Sequence, residues 1–332
     1  MFRRKIFIIA ASMFVTALGL AEETPQQLKA KSNELRAQIV SLKAKGNEAK
    51  AQIANVIIQV EKLDARAKMI QSEPAVKKAL SSLNAVKPNQ TRKLLIYTRT
   101  TGYRHKSISL GAAVLKRIGD ETGAYSATLS DEPAMMSSEN LAIYDAVLML
   151  STVGKPIDKK YRAGFEEFLG QGKGLIGIHA ATDCHKSGWP GYPEAMGGIF
   201  DGHPWGSGST VTINNEDVTH TCADSIPQGF TIKDEMYQYK ENKYYSRNKL
   251  RILLSLDLEG KDMMKNGMKR KDNDYPVSWV HSYGTARVFY SNFGHNESTF
   301  FNAEVLQHFL SGIQFALGDL EADTTPSAKR NK

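Results

Sequence analysis

The stretch Gly174-Leu-Ile-Gly-Ile-His-Ala-Ala-Thr-Asp183 is the most informative part of the sequence. Its apolar half, Leu175–Ile178, predicts a buried strand, and the small residues after it predict a tight turn with His179 at the tip. Ligands of open α/β sheets bind outside the carboxyl ends of the strands, and hydrolases expose a nucleophile on a similar strand-to-turn elbow. An imidazole stands here in place of that nucleophile. The stretch therefore predicts a site at His179 without covalent thiol chemistry; the alternative is a core strand that happens to end in histidine.

Alternating strand and helix patterns surround this stretch. Continuous apolar runs predict strands, and amphipathic segments predict the helices that cover them. The first strands are predicted at 93–98, 124–129, 144–151 and 174–178, with helices at 107–122 and 158–170. Later strands at 208–213, 250–256 and 285–291 have a more antiparallel pattern, and Trp279 is expected in the middle of a further strand. A helix at 303–317 closes the domain. The sequence thus predicts an α/β domain with a mostly parallel sheet covered on both faces.

The first 21 residues have the form of a signal peptide. Three basic residues precede an apolar run from Ile6 to Leu18, which is too short for a stable membrane anchor, and small residues lead to a predicted cleavage after Ala21. We therefore expect an exported protein, located in the periplasm or outside the cell. In such a compartment the two cysteines, Cys184 and Cys222, can form a disulfide, although the sequence leaves their pairing open.

The distribution of charge argues against a nucleic-acid partner. The formal net charge of the whole chain is +8, but residues 22–92 carry thirteen Lys and Arg against seven Asp and Glu, and residues 93–332 have a net charge of −1. A nearly neutral main domain does not have the electrostatic footprint of a nucleic-acid-binding protein. After the signal peptide, no apolar stretch has the length of a membrane span, so we expect none in the mature protein.

Residues 22–83 form a separate helical segment, which a linker at 84–92 joins to the main domain. A heptad seam predicts a coiled coil or a helical hairpin, with Gly46 as a point where the helix can fold back. Flanking lysines and arginines oppose a parallel homodimer, so an acidic partner, packing on the main domain and a solvated spacer all stay open. A polar tail is predicted at 319–332. The seam consists of Leu28, Leu35, Leu42, Ala49, Val56, Leu63 and Ile70.

Six motifs in the main domain resemble the ThuA-like, or trehalose-utilisation, family. They are Gly102-Tyr-Arg-His105, Gly177-Ile-His-Ala-Ala-Thr-Asp183, Gly197-Gly-Ile-Phe-Asp-Gly-His-Pro204, Asp234-Glu-Met-Tyr237, Pro276-Val-Ser-Trp279 and Gly284-Thr-Ala-Arg-Val-Phe-Tyr-Ser-Asn-Phe-Gly-His295. The resemblance covers about residues 92–318 and implies a domain at 93–318. It implies a flavodoxin-like three-layer α/β/α sandwich related to class I glutamine amidotransferases, with His179 in place of their thiol. It also implies a role in sugar breakdown, in particular of glycosides that a partner dehydrogenase has oxidised to 3-keto forms.

Candidate site residues lie in these motifs. We predict that His179, His203, Glu235 and His295 form either an acid/base cluster or a site for a divalent ion such as zinc or manganese. The candidates for substrate binding are Arg104, His105, Asp183, Trp189 and Tyr237. Several have structural alternatives: His105 can hold its loop, Asp183 can cap a helix, and Trp279 is expected in the core. The remaining histidines are expected to be surface or structural residues: His185, His220, His281 and His308.

The favoured functional prediction is an exported enzyme that acts on an oxidised sugar or glycoside by acid/base or metal-assisted chemistry. The alternative is a non-catalytic sugar-binding module whose basic helical segment docks on a partner. An amidase or glutaminase is disfavoured because Cys184, five residues beyond His179, would have to reach back across the turn to act as nucleophile.

Overall fold

The computed structural model describes residues 23–260 and 262–330. The predicted signal peptide, residues 1–21, lies outside the described residues, so its cleavage and the export of the protein stay predictions. Within the described part of the chain, no helix combines the length and the apolar character needed to cross a membrane.

Eight α-helices and nine β-strands occur among the described residues. The helices are α1 (Pro25–Lys43), α2 (Lys50–Gln71), α3 (Glu73–Ser81), α4 (Ser107–Thr122), α5 (Ser138–Leu141), α6 (Arg162–Gly170), α7 (Gly191–Met196) and α8 (Ala303–Leu317). The strands are β1 (Lys93–Tyr97), β2 (Ser126–Ser130), β3 (Ala146–Leu150), β4 (Gly174–Ile178), β5 (Thr210–Asn215), β6 (Phe230–Lys233), β7 (Arg251–Leu256), β8 (Pro276–Tyr283) and β9 (Ala286–Ser291).

The heptad seam lies inside a hairpin of α1 and α2. Thr24 and Gln27 cap the start of α1 reciprocally. Gly46 adopts φ +73°, in the left-handed region that favours glycine, and the chain reverses there as its position in the sequence suggested. Seam residues from both helices bury one another, and Ser32 of α1 donates a hydrogen bond of 2.7 Å to Asp64 of α2. Seam residues such as Leu42 and Val56 are therefore buried without a second chain, whereas Ile70 stays 40% exposed.

All nine strands join one mixed sheet in the order β2-β1-β3-β4-β9-β8-β7-β5-β6. The pairs from β2 to β9 are parallel, and the pairs from β9 to β6 are antiparallel. The predicted antiparallel pairing is observed for β5 and β7, whereas β9, predicted at 285–291 among the antiparallel strands, is parallel to β4 and antiparallel to β8. β6 has no counterpart among the predicted strands. The five parallel strands have the order 2-1-3-4-5 of flavodoxin-like sheets when they are counted along the chain, with β9 as the fifth. Such sheets bind ligands beyond the carboxyl ends of their strands.

Apolar helices pack against both faces of the parallel strands. Alternate residues of a strand point to opposite faces, so that Leu94 and Ile96 join the core under α4 and α8. Leu95 and Tyr97 join the core under α6 and α7. Trp279 is fully buried in the second core, as expected. This packing fixes the strand ends that carry the site.

The linker and the polar tail are both bound to the domain. The backbone N–H groups of Asn84 and Val86 donate to side chains of α8. Arg92 forms a bidentate ion pair with Asp319, and the Ser327 N–H donates to the carbonyl oxygen of Leu250 at 2.9 Å. The segment after α8 is therefore polar but not a free tail.

Cys184 and Cys222 are both buried free thiols, so the disulfide that the sequence left open does not form. Burial raises the pKa of the Cys184 thiol to about 12, and this thiol donates a hydrogen bond to the Thr152 carbonyl oxygen at 3.0 Å. A buried, protonated thiol is a poor nucleophile, which agrees with the prediction against amidase chemistry.

Buried His308 in α8 should make the fold sensitive to acid. Burial lowers the pKa of His308 to about 4, while its Nδ1–H donates to the Cys222 carbonyl oxygen at 2.6 Å. Its pKa in the unfolded chain is about 6.5, so the unfolded state takes up the proton first and stability is lost as pH falls from about 6.5 towards 4. In urea unfolding, the free energy lost between pH 7 and pH 5 should be about 2 kcal/mol smaller in His308→Asn, which keeps the donor but does not titrate. An unchanged pH dependence would contradict this assignment.

Candidate functional site

Three histidines and one glutamate converge beyond the strand ends. His105 follows β1, His179 follows β4, His295 follows β9, and Glu235 follows β6. One potential ligand atom from each of the four lies within 4.8 Å of the others. Because β1, β4 and β9 belong to the parallel part of the sheet, their carboxyl ends meet at one edge, and the three imidazoles meet with them.

His179 is held in position by its backbone and by one ring nitrogen. The residue is fully buried, and its φ of +51° is uncommon for a non-glycine residue. Its carbonyl oxygen accepts a hydrogen bond of 2.6 Å from the Tyr290 hydroxyl. Its Nδ1 lies 2.9 Å from the Asn292 carbonyl oxygen, which can only accept, so Nδ1 carries the proton. The lone pair of Nε2 therefore points into the cluster, which is the arrangement of most metal-ligating histidines.

The spacing of the cluster fits a divalent metal ion. His179 Nε2 lies 3.2 Å from His295 Nδ1, and His295 Nδ1 lies 3.1 Å from Glu235 Oε1. The remaining edge, from His179 Nε2 to Glu235 Oε1, measures 3.7 Å. Ligands about 2.0–2.1 Å from a tetrahedral zinc ion are about 3.4 Å apart. His105 adds a third imidazole, whose buried Nδ1 has no hydrogen-bond partner among the described residues.

Burial keeps two of the three imidazoles neutral. It lowers the pKa of His105 to about 4, and it lowers the pKa of His179 well below its usual value, with the neighbouring histidines adding to the effect. For His295, burial is the largest single influence and acts in the same direction, but the hydrogen bond to Glu235 and the negative charges of Glu235 and Asp234 together outweigh it and raise the pKa. His105 and His179 therefore offer free lone pairs at neutral pH, as metal ligands must.

Asp234 supports the loop that carries His295. Its fully buried carboxylate accepts hydrogen bonds from the backbone N–H groups of Gly294, at 2.7 Å, and Asn296, at 2.8 Å. Burial raises the pKa of Asp234 to about 6, although these backbone hydrogen bonds oppose the shift. Gly294 itself has a φ of +122°. The residue before Glu235 thus fixes both sides of His295.

Two predicted residues border the cluster. The Tyr237 hydroxyl lies 3.1 Å from His179 Nε2, and burial raises the pKa of this hydroxyl well above 10. His203 lies at the rim with 53% of its side chain exposed, and its Nδ1 is 3.6 Å from Glu235 Oε2. The structure therefore brings His105, rather than His203, into the candidate metal-ligand set.

Arg104, Trp189 and Asp183 do not reach the cluster with free polar groups. The Arg104 Nε donates to Glu61 of α2 at 2.7 Å, so the predicted substrate clamp is already paired. The Trp189 side chain is buried, and its indole N–H donates to Glu166 at 2.5 Å, so the ring packs inside the protein and its stacking on a sugar stays a prediction. The Asp183 carboxylate pairs with Lys186 at 2.5 Å and does not cap a helix.

The residues that orient His179 had a weaker signal in the sequence. Asn292 accepts a hydrogen bond from the Tyr237 N–H at 2.6 Å through its side chain, in addition to its backbone contact with His179. Tyr290 contacts Thr182 and Tyr239 through its hydroxyl, at 3.2 and 3.0 Å. Both residues lie on or just beyond β9, within the motif Gly284–His295. The motif therefore indicated their positions in the sequence but not the groups that they contact.

The fold and the site define an α/β protein with flavodoxin-like strand order and a histidine-rich cluster beyond the carboxyl ends of its parallel strands. The chain belongs to the ThuA family, because the family model described as trehalose utilisation matches residues 93–316. Membership points to a carbohydrate-related role. No curated protein sequence matches the chain significantly.

Two solved structures have a similar fold. A ThuA-like protein from Bacteroides uniformis is 22% identical, with a TM-score of 0.56 over 75% of this chain and 99% of its own. A ThuA-like protein from Parabacteroides merdae is 19% identical, with a TM-score of 0.54 over 71% of this chain and 93% of its own. At these identities the likeness concerns the fold alone.

Proposed function

We propose that the protein is an exported enzyme of carbohydrate breakdown that acts on a 3-keto sugar or glycoside at a divalent metal site. His105, His179, Glu235 and His295 would hold the ion, with zinc or manganese as the candidates. The observation that carries the proposal is the convergence of three imidazoles and one carboxylate within 4.8 Å. Family membership supports the carbohydrate as the substrate class.

A bound divalent ion would supply Lewis-acid stabilisation of the negative charge that develops on the substrate carbonyl oxygen. The protein itself adds a hydrogen-bond donor beside the cluster. The Tyr237 hydroxyl keeps its proton at neutral pH because burial raises its pKa, so it can donate to the same oxygen. Fixed donors of this kind stabilise a developing enolate without having to reorganise during the reaction.

His203 is the best-placed residue for proton transfer. The carbonyl group at C3 acidifies the proton on C2, and His203 would take that proton while the C1–oxygen bond breaks. The protonated imidazole would then give the proton to the departing oxygen, leaving a C1–C2 double bond to which water adds afterwards. Its half-exposed position at the rim, 3.6 Å from Glu235, lets it approach a substrate that enters the site.

The proposed substrate requires a preceding oxidation. A sugar dehydrogenase that converts the C3 hydroxyl group to a ketone would supply it, and this enzyme would have to work in the same compartment. The predicted signal peptide places that compartment in the periplasm or outside the cell. Amino-terminal sequencing of the mature protein should find Glu22 as the first residue, and an intact Met1 would contradict export by this route.

The proposal predicts metal-dependent release of the aglycone from an aryl 3-ketoglucoside. Chelator-treated protein should lose this activity, and zinc or manganese should restore it. His203→Asn should lower kcat by about 10²–10⁴-fold, the usual contribution of positioned proton transfer, while the metal content stays unchanged. His220→Gln is the control, because His220 lies outside the cluster and donates to the Asp323 carbonyl oxygen. Release by metal-free protein at the full rate would overturn the metal-dependent reaction.

A further inference from the structure

We infer that α2 braces the two loops that carry His105 and His295, with Glu61 and Lys68 as positioning residues. The inference rests on the proposed metal site, since it concerns the spacing of two of its ligands. The hairpin that contains α2 lies outside residues 93–316, which the family model matches. The brace is therefore built from a segment that this chain adds to the family domain.

Glu61 contacts the chain on both sides of His105. Its carboxylate Oε2 accepts a hydrogen bond of 2.7 Å from Arg104 Nε and a longer one of 3.5 Å from Ser109 Oγ. Arg104 also donates to the Thr98 carbonyl oxygen, at 3.3 Å, where β1 has just ended. A single carboxylate from the hairpin thus links the end of β1, the His105 loop and the first turn of α4.

Lys68 performs the corresponding role at the second loop. It forms an ion pair with Glu297, two residues after His295, at the start of the turn Glu297–Phe301. Glu61 and Lys68 are seven residues apart, so both point from the same face of α2. Since α2 is a continuous helix, it holds its two contacts about 10 Å apart along the axis.

Burial indicates which contact matters more. The Arg104 and Glu61 side chains are 18% and 17% exposed, whereas those of Lys68 and Glu297 are 38% and 33% exposed. Exposed ion pairs contribute little, so Glu61 should have the larger effect. The loops are also joined directly, because Ser107 Oγ donates to the Gly294 carbonyl oxygen at 2.8 Å. Loss of the brace should therefore loosen the two loops rather than unfold them.

The helix α3 offers a matched control, because its ion pair with the domain is made to α4 rather than to either loop. Glu73 of α3 forms a bidentate ion pair with Arg117 of α4, with distances of 2.6 and 2.8 Å. Arg117 lies ten residues beyond the start of α4, which places it about 15 Å along the helix from the His105 loop. Glu73→Gln therefore removes an ion pair between α3 and the domain and leaves the contacts of Glu61 and Lys68 with the two loops in place.

The test compares Glu61→Gln and Glu61→Gln/Lys68→Met with Glu73→Gln in the full-length metal-free protein. Backbone hydrogen exchange should become at least fivefold faster in residues 100–106 for Glu61→Gln. It should also become faster in residues 294–301 for the double variant. Glu73→Gln should leave both loops unchanged. Equal exchange of both loops in all variants would overturn the inference, and this measurement holds whether or not the protein binds a metal.

Zinc titration then connects the brace to the site. Substitutions behind metal ligands typically weaken affinity by about 10–100-fold, and we expect about tenfold for Glu61→Gln and no change for Glu73→Gln. Unchanged affinity in Glu61→Gln would mean that the brace does not position the ligands. Failure of the wild-type protein to bind zinc or manganese would instead overturn the proposed function, and the exchange measurement alone would then decide whether α2 positions the loops.

Discussion

His179→Ala should abolish binding of the divalent metal and lower turnover of a 3-ketoglycoside by about 10³-fold or more. His179 is the most buried member of the cluster, and two of the three distances given above between ligand atoms involve its Nε2. Without it the remaining donors cannot complete a tetrahedral set, and the substrate oxygen loses several kcal/mol of charge stabilisation, at about 1.4 kcal/mol for each tenfold in rate. Metal content by mass spectrometry and steady-state kinetics on the same preparation measure both effects.

His185→Ala is the matched control for this variant. His185 is also buried, and it too adopts a positive φ, of +47°, but it lies outside the cluster and accepts a hydrogen bond from the Ile157 N–H at 3.3 Å. Both variants should lose stability, and only His179→Ala should lose the metal. A full complement of metal in His179→Ala would refute the proposed ligand set. If the wild-type protein binds sugar but never turns it over, and His179→Ala only weakens that binding, the non-catalytic alternative holds.

The fold could be predicted from the sequence because it depends on patterns that are local. A continuous apolar run such as 174–178 favours a buried strand when small residues and a turn follow it, and β1, β3 and β4 have this form, whereas the parallel edge strand β2 is polar and mostly exposed. The heptad seam was equally clear, since one apolar face must be covered. The sequence did not determine which surface covers this face. In the structure the chain reverses at Gly46, and α1 and α2 cover each other. β6 escaped prediction because only four residues form it, at the edge of the sheet.

The sequence predicted the kind of site but not the full set of residues that form it. Residue types and strand ends identified His179 and His295, because any residue just beyond a parallel strand reaches the same edge. Glu235 follows the antiparallel strand β6 and was indicated by the motif Asp234–Tyr237 instead. The choice between His105 and His203 depended on the path of a glycine-rich loop, which no periodic pattern determines. The pairing of Arg104 was missed for a related reason, since its partner, Glu61, is 43 residues away in a segment outside the family domain.

Asp234→Ala should cost about 2–5 kcal/mol of unfolding free energy and loosen the site at the same time. The substitution leaves the N–H groups of Gly294 and Asn296 without their acceptor, and each buried donor left unpaired costs about 1–3 kcal/mol. Both donors flank His295, so the loop should become more mobile and metal affinity should fall together with stability. Urea unfolding and zinc titration of the same variant measure the two losses.

Asp234→Asn distinguishes the loss of the hydrogen-bond acceptor from the loss of the negative charge. The amide keeps one oxygen for one of the two N–H groups but presents its NH₂ to the other, so about half of the loss should remain. The charge itself is not stabilising, because burial raises the pKa of Asp234 to about 6, so that ionisation is less favourable in the folded protein than in the unfolded chain. An Asp234→Ala variant within about 0.5 kcal/mol of wild type would show that water replaces the carboxylate. A large loss in Asp234→Ala with a smaller one in Asp234→Asn would show that this residue acts as the acceptor that fixes the His295 loop.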